Sequence, residues 1–136
     1  FEIIFFYNVY GPRQIKFGHM ATVIGIFEHQ YLNKKPLSIV RPGSQTRRFT
    51  HIHDTIRVCY DAFKADKSRY YSISNKNSYS IIEVTKMFKS KILFLKPRLG
   101  ERYASALTKI THNNKIIHKF GKIQLKDYIS SFIKSH

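Results

Sequence analysis

The sequence predicts a mixed α/β fold of short strands alternating with amphipathic helices, on three observations. Residues 2–8, EIIFFYN, form an almost unbroken apolar run of strand length. Met20, Val23, Ile24, Phe27 and Tyr31 recur at helical spacing. The same succession of short strand and helix then returns three more times along the chain.

The opening run lacks the polar alternation of a half-exposed strand, so it predicts a strand covered on both faces. Gly11 and Pro12 end it. Few strand candidates follow, so its sheet neighbours are expected to lie in a portion N-terminal to Phe1.

The next elements are a helix over residues 19–33, a strand over 37–40, and a loop over 41–46 that contains Pro42 and Gly43. A second helix is predicted to start with Asp54 as its cap and to carry Ile56, Cys59, Tyr60 and Phe63 on its apolar face. Residues 70–74 alternate like a strand. Ser80 and Glu83 have the spacing of a capping box ahead of Val84 and Phe88, so a third helix begins there. Residues 91–95 form another short strand. Residues 105–120 are predicted as a helix closed by Gly121, and Leu125, Ile129, Phe132 and Ile133 mark a last amphipathic helix.

The chain has 136 residues, of which 43% are hydrophobic and 15% aromatic, enough for one core. No window approaches the ~18–20 apolar residues of a membrane span, and no membrane partner is expected. The single cysteine, Cys59, cannot form an internal disulfide and reads as a small core residue; a reducing compartment, the cytoplasm, is the expected location. Formal charge is +16, from 24 Lys and Arg against 8 Asp and Glu. Such a field recruits anions, although Lys abundant alongside Ile, Asn, Tyr and Phe is also what an AT-rich coding sequence yields. Basic residues thicken over 86–126, where Glu101 is the lone acid, with no aromatic-basic RNA signature and no zinc-finger spacing.

Three blocks carry a more specific similarity: FYNVYGPRQ at 6–14, KPLSIVRPGSQTRRFTHIHDTI at 35–56, and RLGE at 98–101. In order and spacing they resemble the C-terminal half of extended short-chain dehydrogenase/reductases, NAD-dependent nucleotide-sugar epimerases and dehydratases of the UDP-glucose 4-epimerase type. The resemblance implies the C-terminal substrate-binding part of an extended Rossmann-type fold, with the dinucleotide-binding portion upstream of Phe1. Residues 1–14 would be the remnant of the last Rossmann strands and the NVYGP loop, and 15–136 a mixed α/β nucleotide-sugar-binding domain. The family's Gly-rich loop and its catalytic Tyr-x-x-x-Lys would also lie upstream. NAD is therefore expected in the parent enzyme and not on this chain alone, and no catalytic residue is assigned within it. Two Tyr-x-x-x-Lys matches do occur, Tyr31 to Lys35 and Tyr60 to Lys64. Both tyrosines fall on predicted apolar faces, so both are read as packing residues.

Substrate binding is what the resemblance leaves to this chain. Asn8 matches the family asparagine near the sugar-nucleotide diphosphate, and Arg47 the arginine that grips it; a guanidinium suits that task because its planar fork donates two bonds and stays charged. Arg98 and Glu101 match a later arginine on the diphosphate and an acid on the ribose hydroxyls. Ser38 and Val40 lie on the strand that lines the nucleobase pocket, and Met20 opens the helix that closes over it. The sequence departs from the pattern at Arg48 and His53, where Asp is usual, at Arg41-Pro42, where Gly-Asp is usual, and at Phe5, where Arg often stands. His51 and His53 lack a third ligand and make a poor zinc site. The partners expected are a UDP-sugar and the N-terminal Rossmann half, with a homodimer possible for the parent. The alternative is a catalytically inactive basic module that binds nucleic acid or another polyanion.

Overall fold

The computed structural model describes residues 1–67, 70–97, 115–117 and 121–136. It is an α/β arrangement whose strands run mostly parallel. β1 (Ile3–Phe6) pairs in parallel with β6 (Tyr70–Ile73), and β6 pairs in parallel with β9 (Lys115–Ile117). A second parallel ladder joins β3 (Leu37–Val40) to β8 (Ile92–Leu95), with Leu37 opposite Ile92 and Val40 opposite Leu95. Two minimal ladders lie between them. β2 (Val9–Tyr10) pairs in parallel with β5 (Thr50–His51), and β4 (Thr46–Arg47) pairs antiparallel with β7 (Tyr79–Ser80).

Helices cover these ladders because each presents an apolar stripe to one of them. α1 (Val23–Leu32), α3 (Ile81–Phe88) and α4 (Leu125–Lys134) enclose the larger core, in which Ile24, Phe27, Leu37, Ile39, Val84, Phe88, Leu125 and Ile129 are essentially solvent-free. Edge-to-face ring contacts knit it, Phe27 to Phe88 at 5.9 Å and Phe88 to Phe132 at 6.2 Å. α2 (Ile52–Ala65) forms a smaller core with β1 and β6 through Val58, Ala62, Tyr71, Ile73 and Ile4. No helix among the described residues is long and apolar enough to cross a membrane.

Helix starts follow local chemistry. Thr22 caps α1 by accepting from the Gly25 amide at 3.0 Å. Ser80 and Glu83 form the expected capping box: the Ser80 hydroxyl accepts from the Glu83 amide, and the Glu83 carboxylate accepts from the Ser80 amide at 2.7 Å. Those bonds hold the Glu83 carboxyl below its ordinary pKa. Gly43, at φ +80, occupies backbone space where a Cβ would meet Ile82 and Ile39 below 3 Å, so only glycine fits that turn.

Five expectations are corrected. The first helix begins at Val23, so Met20 precedes it and is 77% exposed. The second is capped by His51 through Nδ1, and Asp54 sits inside the first turn, buried, accepting from the Ile123 amide at 3.1 Å. Its buried face is Thr55, Val58 and Ala62, while Ile56, Tyr60 and Phe63 face outward and Cys59 is half-buried, its thiol pKa raised by burial. Small side chains let α2 lie close on β6, and the bulky stripe has no room there. Lys115–Ile117, expected within a helix, is a strand of the β1-β6-β9 sheet; the rest of that expected helix lies outside the described residues. The opening strand is less covered than expected, since it is the sheet's edge and Phe5 and Phe6 are exposed.

Two substitutions separate the core from the cap. Phe88→Ala is expected to cost about 3–5 kcal/mol of unfolding free energy, and Ser80→Ala about 1 kcal/mol. Urea denaturation reads both, and equal losses would contradict the placement of Phe88.

Candidate functional site

The site region lies where the two cores meet, on the segment from β1 through β2 and on the strip β4–β5. The chain leaves β1 through Asn8, which adopts a left-handed φ of 44°, a conformation that asparagine tolerates better than most residues. The Asn8 carbonyl accepts from the Thr50 amide at 3.3 Å, and its Nδ2 donates to the Arg48 carbonyl at 3.3 Å. β2 is thereby seated on β5. Gly11 follows at a point where an added Cβ would lie 2.5 Å from Ile52 Cγ2, so the turn requires the absent side chain.

Arg48 has a structural task. Its Nη1 donates to the carbonyls of Asn75, at 3.1 Å, and Lys76, tying the segment after β6 to the strip that carries Arg47. Its Nε is buried without a partner among the described residues. An acidic side chain at 48 could not make these bonds, because carbonyl oxygens need a donor. The departure from the family pattern at this position is a latch between loops.

Two cavities open beside this segment. One, of about 160 Å³, is lined by Ser38 and Val40 from β3, Arg47 from β4, and Val23 and Phe27 from α1. The other, of about 240 Å³, is lined by Asn8, Val9, Thr22, Val23 and Phe49. Val23 is common to both, so they adjoin. Ser38 is fixed by Gln30, whose Oε1 accepts from its amide at 3.0 Å and whose Nε2 donates to its hydroxyl at 2.7 Å. Arg47 Nη1 donates to the Thr46 carbonyl at 2.8 Å. The structure thus brings Ser38, Val40 and Arg47 to one cavity and Asn8 to its neighbour. Met20 lines neither, although the nearby Ala21 lines the second. Arg98 and Glu101 lie outside the described residues.

Neither Tyr-x-x-x-Lys match is arranged alike. Tyr31 is half-buried against Phe88 and Phe132 at 6.1 and 6.0 Å. Tyr60 is 56% exposed with the Lys64 ammonium 4.9 Å above its ring, so the expectation that it packs inside is corrected. Among the described residues no group of three His, Cys, Asp or Glu side chains could hold a metal.

Sequence reasoning missed the polar seam beneath the site. Tyr10 is buried with its hydroxyl donating to the Ile123 carbonyl at 3.1 Å, and its ring meets those of His51 at 5.2 Å and Tyr128 at 5.1 Å. Tyr128 donates to the buried Glu28 at 2.7 Å, and Lys16 reaches the same carboxylate at 3.6 Å. Burial raises the pKa of both phenols, helped by Asp54 for Tyr10 and by Glu28 for Tyr128. Burial first, and the charge of His53 second, lower that of His51, with Asp54 working the other way. The signal was the pairing of buried-sized aromatics with His and Glu, which spacing alone does not reveal.

With this geometry in hand, comparison places the chain in a class. The family model described as "NAD dependent epimerase/dehydratase family" matches residues 2–74, more than half of the chain, and the chain belongs to that family. Its relatives are more particular. UDP-glucuronic acid decarboxylase 6 of Arabidopsis thaliana is 29% identical over 87 residues, 63% of this chain and 24% of that protein. The solved UDP-glucuronic acid 4-epimerase of Bacillus cereus, in complex with UDP-glucuronic acid and NAD, matches 98% of this chain and 45% of its own at 26% identity and a TM-score of 0.75. A Thermotoga maritima UDP-glucose 4-epimerase structure shares the fold at 20% identity and a TM-score of 0.77. The fold is that of extended Rossmann-type epimerases, as the sequence implied. The chain spans about a quarter of the length of the curated relatives and under half of the solved ones.

His51 makes stability depend on pH. Its folded pKa lies below the ordinary ~6.5, so the unfolded chain binds the extra proton; stability is complete above that value and declines as pH falls toward the folded pKa. His51→Asn keeps a capping acceptor and is expected to lose less urea stability than the native chain between about pH 7.5 and about pH 5.5. Equal losses would contradict the assignment.

Proposed function

We propose that this chain is the substrate-binding portion of an NAD-dependent nucleotide-sugar epimerase or dehydratase, holding the diphosphate and nucleoside of a UDP-sugar. The carrying observation is that Arg47 shares a cavity with Ser38 and Val40 while Asn8 lines the adjoining one. Neither cavity alone reaches the ~300 Å³ at which ligand pockets begin, but the two together do. In this reading the Arg47 guanidinium takes phosphate oxygens, Ser38 and Val40 border the base, and Asn8 contacts the same diphosphate from the adjoining wall. Arg98 and Glu101 add a second diphosphate cation and a ribose acceptor. Support comes from family membership and from the UDP-glucuronic acid named in the Bacillus cereus structure.

The described residues do not form a dinucleotide cradle. The described helices are capped by Thr22, His51, Ser80 and Gln124, none of them in a Gly-rich turn after a strand. NAD would be held by a separate dinucleotide-binding half, which would supply the hydride chemistry. The surface for that half is the edge of β1, which no strand pairs among the described residues, beside the exposed Phe5 and Phe6, where a further parallel strand would complete the ladder.

Calorimetry with UDP and UDP-glucuronic acid tests the binding role. Arg47→Ala is expected to weaken UDP about ten- to a hundredfold, the loss of a charge-assisted bond. UDP affinity unchanged by the substitution would overturn the phosphate grip.

A further inference from the structure

We propose that the chain carries a second anion site, apart from the cavities beside Arg47, that takes an oligophosphate group. The cleft concerned has a volume of about 500 Å³, within the ~300–1,000 Å³ of small-molecule sites, and shares no lining residue with either cavity above. Its polar lining is Lys34, Lys35, Lys91, His136, Ser90 and the half-buried Tyr31, with no Asp or Glu. Among the described residues none of the three lysines is ion-paired.

Backbone geometry gathers these cations. After α1 the chain turns back through Lys34, at a left-handed φ of 53°, with the Lys34 amide donating to the Tyr31 carbonyl at 3.0 Å and the Lys35 amide to Gln30 at 2.9 Å. Glycine is the usual occupant of such a position, and here a lysine side chain is kept there. Lys91 is drawn alongside because its carbonyl accepts from the Leu37 amide at 2.8 Å. His136 is steadied by its Nδ1 against the Phe132 carbonyl at 3.0 Å and by ring contact with Phe132 at 4.7 Å. The Tyr31 ring rests on Phe88 and Phe132, which gives the cleft a firm floor.

Magnitudes decide the sign of the field. α1, α3 and α4 all end beside this cleft, and each C-terminus contributes roughly half a negative charge. Three ammonium groups outweigh the three helix ends, and with the α-carboxylate of His136 counted they still leave a net positive charge, so the cleft favours an anion. One phosphate would leave most of the volume unfilled, whereas linked phosphates can reach all three lysines. The cleft adjoins the start of β3 and β8, and the cavity holding Arg47 adjoins their ends, roughly 10 Å away along the strands. One small ligand does not occupy both.

The test is calorimetry of the full chain with sodium tripolyphosphate, in the native protein and in an Arg47→Ala background that removes the other phosphate grip. One saturable site should persist in Arg47→Ala, so this result stands or falls apart from UDP binding. Adding Lys34→Gln with Lys91→Gln should weaken it about tenfold or more, while Lys64→Gln with Lys67→Gln, an equal loss of charge elsewhere, should leave it within about twofold. Thermal midpoints matching the native chain certify that both pairs fold. Equal weakening by the two pairs, or no saturation, overturns the site. So does a single-stranded oligonucleotide that binds more tightly than tripolyphosphate and is lost equally in both pairs, because the charge would then serve nucleic acid over the whole surface.

Discussion

Everything near the candidate site depends on how Arg48 is spent. One guanidinium nitrogen bonds two carbonyls of the segment after β6, and the Arg48 carbonyl receives the Asn8 amide group. Three stretches far apart in sequence are thereby fixed at one point, while β2–β5 has two residues in each strand. So short a ladder has little stability of its own. Bonds from a charged donor contribute roughly 1.5–3 kcal/mol each, which is the scale needed to hold Asn8 and Arg47 on adjoining walls. The +16 field around the chain supplies attraction for anions, but it is this latch that gives the attraction an address.

A seam of buried polar groups extends the same constraint toward the C-terminal helix. Ile123 offers its amide to Asp54 and its carbonyl to Tyr10, so the entry to α4 is bound to both α2 and β2. The Tyr10 and Tyr128 rings belong to the larger core and pack against the His51 ring. Satisfied polar networks of this kind orient what they touch, since shifting any member leaves a buried group unpaired. The cavities beside α1 inherit that rigidity through Val23 and Phe49.

Much of the fold was legible because local chemistry and global packing agree. The Ser80–Glu83 box, the apolar run at Leu37–Val40 and the stripe of α4 all fold where their patterns point. At α2 the pattern misled: Ile56, Tyr60 and Phe63 form the more conspicuous stripe, yet the sheet accepts the slimmer face of Thr55, Val58 and Ala62. Hydrophobic spacing reports that a helix is two-faced, and steric fit to the neighbouring strand decides which face goes in. The strand at Lys115–Ile117 was hidden because its partner, β6, is distant in sequence. At the site, the grouping of Ser38, Val40 and Arg47 follows from β3 and β4 being consecutive. The role of Arg48 could not be read, since an arginine in this position looks the same in sequence whether it meets a ligand or a carbonyl.

The central claim is that the Asn8 turn and the β3–β4 wall form one binding surface. Backbone amide shift mapping of the isotopically labelled chain titrated with UDP tests it most directly. Asn8, Ser38, Val40 and Arg47 are expected to shift together along one saturation curve. Shifts confined to other residues, with those four amides unmoved, would contradict it.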